Sequence, residues 1–170
     1  LHIGLSSVIR ANAAGADLRA IGSLSNVIRF TLFARDDVSA PAQLKGGVIG
    51  ISSGGSESEA TIAVGLEKIG LTRADVRTQE IGPGRDRLNA VREGKVTAAS
   101  LNEPYRTQAL ELGMKPIVDL VPDRVPWLYS GLVVDNAYLK ANRDALKRFL
   151  KATIEGNYLA ISDPARGKAE

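Results

Sequence analysis

The sequence predicts an α/β fold in which two lobes each carry a sheet covered by helices. Short apolar runs alternate with segments of helical periodicity along almost the whole chain, an order typical of parallel-rich sheets. Two polar breaks, at 36–47 and 122–128, bracket a block with its own βαβαβαβ pattern. We therefore predict that this block forms one lobe inserted into another.

The apolar runs that predict strands are short and are bounded by turn-forming residues. They cover 1–5, 18–24, 27–34, 48–51, 76–81, 96–101, 117–121 and 128–134. Helices are predicted where apolar residues recur three or four positions apart. These segments cover 8–14, 56–69, 85–92, 104–113 and 142–161, and a short turn is predicted at 41–44. The order of elements places a strand before nearly every helix.

The predicted division of the chain follows from the two breaks. Residues 1–35 and 128–170 form the first lobe, and residues 47–124 form the second. The crossings at 36–46 and 125–127 act as the hinge. In such an arrangement, loops at the strand ends of both lobes face a shared cleft, where α/β sheets bind ligands.

Composition narrows the possible functions. The chain has 170 residues, 44% of them hydrophobic and 24% charged, which is ordinary for a globular protein. No apolar run is long enough to span a membrane. The net charge of +3 is small and its charges are scattered, so the sequence does not indicate a nucleic-acid partner. The absence of cysteine excludes disulfides, thiolate metal sites and cysteine nucleophiles. With His2 as the single histidine, we expect neither a metal nor a cofactor.

Both ends of the sequence suggest a piece of a longer chain. Leu1 lies inside a predicted strand, with no basic or apolar leader before it. Residues 163–166, with proline second, are typical of the start of a further helix. We expect the first lobe to be incomplete in this sequence.

The stretch around which the chain is organised is the predicted strand 48–51, the turn Ser52-Ser53-Gly54-Gly55-Ser56 and the helix that follows. The first turn of a helix leaves backbone N–H groups without partners and carries partial positive charge. Glycines allow a ligand to approach the backbone closely, and serine hydroxyls add donors and acceptors. The turn therefore predicts a site for a polar or anionic group. The alternative is a capping box, with Ser56 as N-cap and Glu59 reaching back.

Four motifs resemble type II periplasmic solute-binding proteins, in particular the NMT1/THI5-like family that includes SsuA-like receptors. The segment 44–50 followed by 53–56 resembles the start of the second lobe in that family. The segment 91–99 resembles its helix–glycine–strand step, and Asn102-Glu103-Pro104 resembles the loop after it. Residues 128–149 resemble the return to the first lobe. The resemblance covers nearly the whole chain.

This resemblance implies an extracytoplasmic receptor, periplasmic or lipid-anchored. Such a receptor captures a small polar or anionic organic molecule between its lobes and delivers it to the membrane permease of an ABC importer. It also implies that roughly 60–80 residues of the first lobe, about two βαβ units, precede this sequence. The implied protein is not an enzyme, contains no cofactor and does not insert into the membrane.

The residues predicted to contact the ligand lie at strand ends or crossings that face the cleft. They are Ser6, Ser7, Ser53, Gly54, Gly55, Ser56, Asn102, Glu103 and Trp127.

Each of these residues also has a structural interpretation. The serines after the first strand could cap a helix, Glu103 could hold Arg106 one turn on, and Trp127 could fill the hinge rather than stack on a ligand. Arg85, at a helix start, could counter an anion, although a solvated surface position is the simpler interpretation.

Two other classes of protein are weighed against the receptor. An enzyme of the same fold, such as one for pyrimidine-precursor synthesis or a decarboxylase, needs a base or a cofactor anchor. The sequence offers no Ser/His/Asp arrangement for this, because the one histidine lies far from any nucleophile-elbow motif. A Rossmann nucleotide-binding domain needs G-x-G-x-x-G, which the glycines from Gly50 to Gly55 do not supply.

Overall fold

The computed structural model describes residues 1–163 and residue 165, and within them it confirms the α/β class. The strands are β1 (His2–Ile3), β2 (Leu18–Val27), β3 (Thr31–Ala34), β4 (Val48–Ile51), β5 (Arg77–Glu80), β6 (Ala98–Leu101), β7 (Pro116–Asp119) and β8 (Pro126–Asp135). The helices are α1 (Leu5–Ala13), α2 (Glu57–Lys68), α3 (Gly84–Arg92), α4 (Tyr105–Glu111), α5 (Asn136–Ala141) and α6 (Arg143–Ser162). Short 3-10 turns cover Pro41–Leu44 and Arg73–Asp75.

The strands form two separate sheets rather than one continuous sheet. The order β1-β8-β2 makes a three-stranded antiparallel sheet, and β5-β4-β6-β3-β7 makes a five-stranded mixed sheet. In the larger sheet β4 runs parallel to β5 and β6, whereas β3 runs antiparallel to β6 and β7. Parallel pairing is therefore confined to the centre and one edge of the five-stranded sheet.

The five-stranded sheet holds most of the core, on both of its faces. Leu32 and Ala34 pack into a cluster with α2, including Ile62 and Leu66. Phe33 points to the opposite face, into a cluster with α3 and α4 that includes Leu88. This alternation along β3 follows the two-residue period of a strand. A sheet covered by helices on both faces is typical of α/β folds.

The chain changes sheets at two adjacent places. The single strand predicted at 27–34 is wrong, because the segment 28–30 leaves one sheet before β3 begins in the other. The N–H of Ile28 donates to the carbonyl of Val125 at 3.0 Å, and the N–H of Leu120 donates to the carbonyl of Phe30 at 3.3 Å. Residues 31–34, which the sequence assigned to the first lobe, therefore lie in the five-stranded sheet. That the crossings act as a hinge stays a prediction.

Two further elements differ from the sequence prediction at the ends of the three-stranded sheet. The first strand is only two residues long, and α1 begins at Leu5 because Gly4 takes an extended conformation as N-cap. The short helix α5 is not among the helices predicted from periodicity; Asp135 caps it by accepting from the N–H groups of Ala137 at 2.8 Å and Tyr138 at 3.1 Å. Asn142 precedes α6 as predicted, but its side chain makes no capping bond.

The three-stranded sheet has a thin core compared with its neighbour. Val8, Leu132, Val133 and Leu146 are buried there. Several apolar side chains of α6 are exposed, with Ile154 and Tyr158 each retaining 69% of their accessible surface. Within the described residues, no helix combines the length and apolar character that crossing a membrane requires. The predicted helix start at 163–166 falls largely outside the described residues, as does the end of the predicted first lobe.

Candidate functional site

A cavity of about 320 Å³ lies between the two sheets, at the carboxyl ends of β4 and β6. From the side of the three-stranded sheet it is lined by His2, Ile3, Gly4, Tyr129 and Ser130. From the side of the five-stranded sheet it is lined by Ser52, Glu57, Ser58, Arg87 and Asn102. Phe30, in the crossing segment, completes it. The carboxyl ends of parallel strands are where α/β sheets bind ligands, so this cavity is the candidate site.

The glycine amides of the turn between β4 and α2 already have protein partners. The N–H of Gly54 donates to Oε1 of Glu80 at 2.6 Å, and its carbonyl accepts from Nη1 of Arg10 at 2.7 Å. The N–H of Gly55 donates to Oε2 of Glu59 at 2.6 Å. The predicted capping box is wrong, because Glu59 reaches the residue before the N-cap rather than the N-cap itself. Any ligand at these two amides has to displace a carboxylate.

The serines around this turn form a chain of hydroxyl contacts that runs into the cavity. Ser56 is the N-cap of α2, and its Oγ lies 2.8 Å from Oγ of Ser58 rather than on a backbone N–H. Oγ of Ser58 in turn lies 2.9 Å from Oγ of Ser52 and accepts from the Ser52 N–H at 2.9 Å. Ser53 is exposed and does not line the cavity. The sequence prediction therefore missed Ser52 and Ser58, the two serines that do.

Glu57, the first residue of α2, joins the two halves of the molecule. Its Oε1 accepts from the N–H of Ser6 at 2.7 Å, and its Oε2 accepts from Nε1 of Trp127 at 2.5 Å. Only 8% of its surface is accessible, and among the described residues no cation forms an ion pair with it. A Cβ on Gly4 would lie 2.4 Å from its Cγ, so a glycine at that position permits the close approach.

The other predicted residues of the first half occupy supporting positions. Because Gly4 is the N-cap of α1, Ser6 and Ser7 lie in its first turn, and their predicted alternative role as N-caps is wrong. Ser7 is exposed, and its N–H donates to the carbonyl of Gly4 at 3.2 Å. Trp127 packs against the core beside the crossing and lies behind Glu57, outside the cavity lining.

Asn102 and Glu103 follow β6 but point to different partners. Nδ2 of Asn102 donates to the Tyr129 hydroxyl at 2.8 Å and lines the cavity. Glu103 instead accepts from the N–H of Thr107 at 3.1 Å and from its hydroxyl at 2.7 Å, and lies 3.5 Å from Arg106. Burial opposes the ionised form of Glu103, but the Thr107 hydrogen bonds and the Arg106 charge lower its pKa below the ordinary value. The structure thus brings Asn102 to the cavity and not Glu103.

Arg87 is the charged residue that the sequence prediction missed. It is 4% exposed; Nε donates to the Ser100 carbonyl at 2.9 Å and Nη1 donates to the Gly82 carbonyl at 2.5 Å. Among the described residues no carboxylate forms an ion pair with it, and burial lowers its pKa. Arg85, for which a solvated surface position was the simpler interpretation, is exposed and pairs with Asp86 at 3.2 Å. The sequence did contain one indication that Arg87 is buried. It lies one turn before Val91, on the stripe of α3 that faces the core.

Tyr129 lines the cavity together with the buried charges of Glu57 and Arg87. Burial raises the pKa of the Tyr129 hydroxyl above its ordinary value. The hydrogen bond from Asn102 lowers this pKa, the negative charge of Glu57 raises it, and the positive charge of Arg87 lowers it. Its ring packs edge-to-face on Phe30, with centroids 5.5 Å apart. Ser130 Oγ is hydrogen-bonded to Nε2 of His2 at the rim.

Among the described residues, no group of three or more acidic, histidine or cysteine side chains could hold a metal ion.

Comparison with curated proteins of known sequence finds a relative of this chain. It is the riboflavin-binding protein RibY of Chloroflexus aurantiacus, 27% identical over 164 residues, which are 94% of this chain and 46% of that protein. The chain therefore spans about half the length of the relative that it matches.

Solved structures share the fold at low sequence identity. The aliphatic sulphonate-binding protein SsuA of Escherichia coli is 24% identical with a TM-score of 0.79, and 98% of this chain aligns with 57% of it. SsuA of Xanthomonas axonopodis pv. citri, bound to MOPS, is 21% identical with a TM-score of 0.82, over 96% of this chain and 57% of that one. The desulfurization enzyme DszB is 19% identical with a TM-score of 0.67, over 96% of this chain and 63% of the enzyme chain.

These neighbours confirm the predicted type II periplasmic-binding fold. The sequence pattern that defines the NMT1/THI5-like family matches residues 4–167, nearly the entire chain. The predicted resemblance is confirmed: the chain belongs to the NMT1/THI5-like family.

Proposed function

We propose that this chain is part of an extracytoplasmic solute-binding receptor that holds a small polar or anionic organic molecule in the cavity between its two sheets. The receptor would pass that molecule to the permease of an ABC importer. Family membership and the two sulfonate-binding neighbours support a binding role. The observation that carries the proposal is Arg87, a buried cation in the cavity with no carboxylate partner among the described residues.

A buried charge is costly unless an opposite charge or strong hydrogen bonds compensate it. Two backbone carbonyls hold the Arg87 guanidinium but do not neutralise it. An anionic group entering the cavity would do so, through charge-assisted hydrogen bonds. Asn102, Ser52, Ser58 and Tyr129 would supply neutral hydrogen bonds around it. Of the nine residues predicted from the sequence, Asn102 would contact the ligand directly and Ser6 and Trp127 would act through Glu57.

Native mass spectrometry of the purified protein comes first, to detect a co-purified small molecule. Titration calorimetry with MOPS and with riboflavin, the molecules named for the relatives, then gives an affinity. Arg87→Met should weaken binding of an anionic ligand at least tenfold, about 1.4 kcal/mol, and Arg87→Lys should restore part of it. Arg85→Met, on the same helix but exposed, is the matched control and should change nothing. Equal affinities in the Arg87 and Arg85 variants would contradict the proposal.

An enzyme of the same fold is the second candidate, because DszB shares this architecture and a Ser–His contact lies at the cavity rim. That contact has no orienting carboxylate among the hydrogen bonds of the described residues, and the triad arrangement requires one. Incubation with biphenyl-2-sulfinic acid, the ligand of a DszB variant, followed by product analysis separates the two candidates. Turnover that Ser130→Ala abolishes would favour the enzyme, and one-to-one binding without product favours the receptor.

A further inference from the structure

The cavity holds two buried charges of opposite sign that are not paired with each other. Glu57 and Arg87 are each more than nine-tenths buried, and both line the cavity. Neither takes part in an ion pair within the described part of the chain. Both line the same cavity as Tyr129 and Asn102, which places them around one common space.

The partners of Glu57 explain its position but leave acceptor capacity unused. A carboxylate offers about four lone-pair sites. Two of these accept hydrogen bonds, from the Ser6 backbone N–H and the Trp127 indole N–H. Both donors are neutral, so the negative charge is stabilised by hydrogen bonds and by the N-terminus of α2 but is not compensated by a cation. Among the described residues no further donor occupies the remaining acceptor sites, which leaves them to an N–H group at the cavity.

Arg87 presents the complementary situation on the same cavity. The guanidinium has five donors, and the described hydrogen bonds go from Nε and Nη1 to two carbonyl oxygens. If both charges served only to bind each other, the fold would have paired them, because pairing lowers the cost of burying them. Keeping them apart preserves one positive and one negative end in the binding space.

We infer that the ligand is a small zwitterion, with an acidic group held by Arg87 and an amine held by Glu57. This inference rests on the proposed receptor function and narrows it to one class of solute. A cavity of about 320 Å³ lies at the small end of ligand sites, which suits a short molecule that carries both groups. The serines and Asn102 would then bind the acidic group or the chain between the two ends.

The test compares a zwitterion with its two halves: β-alanine, propionate and propylamine, measured by calorimetry on the purified chain. The inference predicts that β-alanine binds at least tenfold more tightly than either half molecule, since each charged contact is worth about that factor. Glu57→Gln should remove the advantage of β-alanine over propionate, so that the two affinities measured within this variant agree to about twofold. Glu67→Gln, on an exposed position of the same helix, is the matched control and should preserve the preference.

The ratio of two affinities within one variant is the deciding quantity, because partial unfolding lowers both affinities together. Propionate binding as tightly as β-alanine, or a preference that survives Glu57→Gln, would overturn the inference while leaving an anion receptor in place. Binding of none of the probes at millimolar concentration, with no co-purified molecule in mass spectrometry, would overturn the receptor function as well. If Glu57 only connects α1 to the start of β8, Glu57→Gln would lower the stability of the fold and leave the ratio of the two affinities unchanged.

Discussion

The indole N–H of Trp127 donates to Oε2 of Glu57 at 2.5 Å, across 70 positions of sequence. The contact ties the start of β8 to the first turn of α2. The same carboxylate accepts from the backbone of Ser6, so one side chain connects three parts of the chain. A change at either residue should therefore affect stability and the arrangement of the cavity together.

Trp127→Phe should destabilise the fold by about 1.5–3 kcal/mol, the usual value of a hydrogen bond to a charged group. Phenylalanine keeps a smaller aromatic ring at this position, so much of the apolar packing is retained while Glu57 loses one of its two donors. Chemical denaturation followed by circular dichroism gives the free energy of unfolding. In a Glu57→Gln background the same substitution should cost much less, because the two residues act as one pair. Equal costs in both backgrounds would show that the negative charge of Glu57 adds nothing to the bond.

Asp119 should make stability sensitive to acid. It accepts from Thr31 at 2.7 Å and from Arg106 at 2.8 Å. Burial opposes its ionised form, but these donors and the N–H of Val121 together hold the pKa of Asp119 below its ordinary value of 3.8. A depressed folded-state pKa adds stability that is fully present above the unfolded value and is lost as pH falls through the folded one.

Replacing Asp119 with Asn should therefore lower stability near neutral pH and flatten its fall below about pH 4. Unfolding free energies measured from pH 7 down to pH 2 check this slope. Asp144→Asn, at a side chain that is 85% exposed, is the control and should leave the curve unchanged. An Asp119 variant with the acid slope of the original chain would contradict the assignment.

The fold was most predictable where local sequence decides the structure. The strand 48–51 and the helix after the serine-glycine turn lie within one residue of their predicted bounds. There a buried apolar run, a glycine turn and helical periodicity all agree. The segment 27–34 failed because its alternating pattern suits either sheet, and only pairing with β6 and β7 decides which sheet it joins.

The site was less predictable because its contacts are distant in sequence. Nothing local indicates that Glu80 and Arg10 occupy the backbone of Gly54, 26 and 44 positions away. The sequence therefore suggests that the backbone groups of this turn are available to a ligand, whereas in the structure Glu80 and Arg10 already bind them. Arg87 was overlooked because an arginine on an apolar helix stripe is usually counted with the solvated charges, whereas its burial arises from packing between α3 and β6.

Gly55→Ala should cost more than Gly46→Ala, although both glycines have similar positive φ angles, +71° and +74°. The left-handed conformation costs a non-glycine residue about 1–2 kcal/mol in either place. At Gly55 the new Cβ would also lie 1.2 Å from Nη1 of Arg10, so this exposed side chain has to move and give up its hydrogen bond to the Gly54 carbonyl. At Gly46 no atom lies within 4 Å. The difference in unfolding free energy between the two variants therefore reports the contact of Arg10 with the turn. In an Arg10→Ala background the two costs should become equal, and a persistent difference would contradict this explanation.

The exposed apolar side chains of α6 should make the 170-residue chain self-associate at high concentration. Phe149, Ile154, Tyr158 and Ile161 are each at least half exposed, and exposed apolar patches of this kind favour association. Adding charge with Ile154→Lys and Tyr158→Lys should shift the chain toward monomer in multi-angle light scattering, with little loss of stability because neither residue is buried. Asn157→Lys adds the same charge at an exposed polar position of the helix and should leave the association unchanged. A chain that is monomeric at every concentration, or a control as effective as the paired substitution, would show that α6 does not drive association.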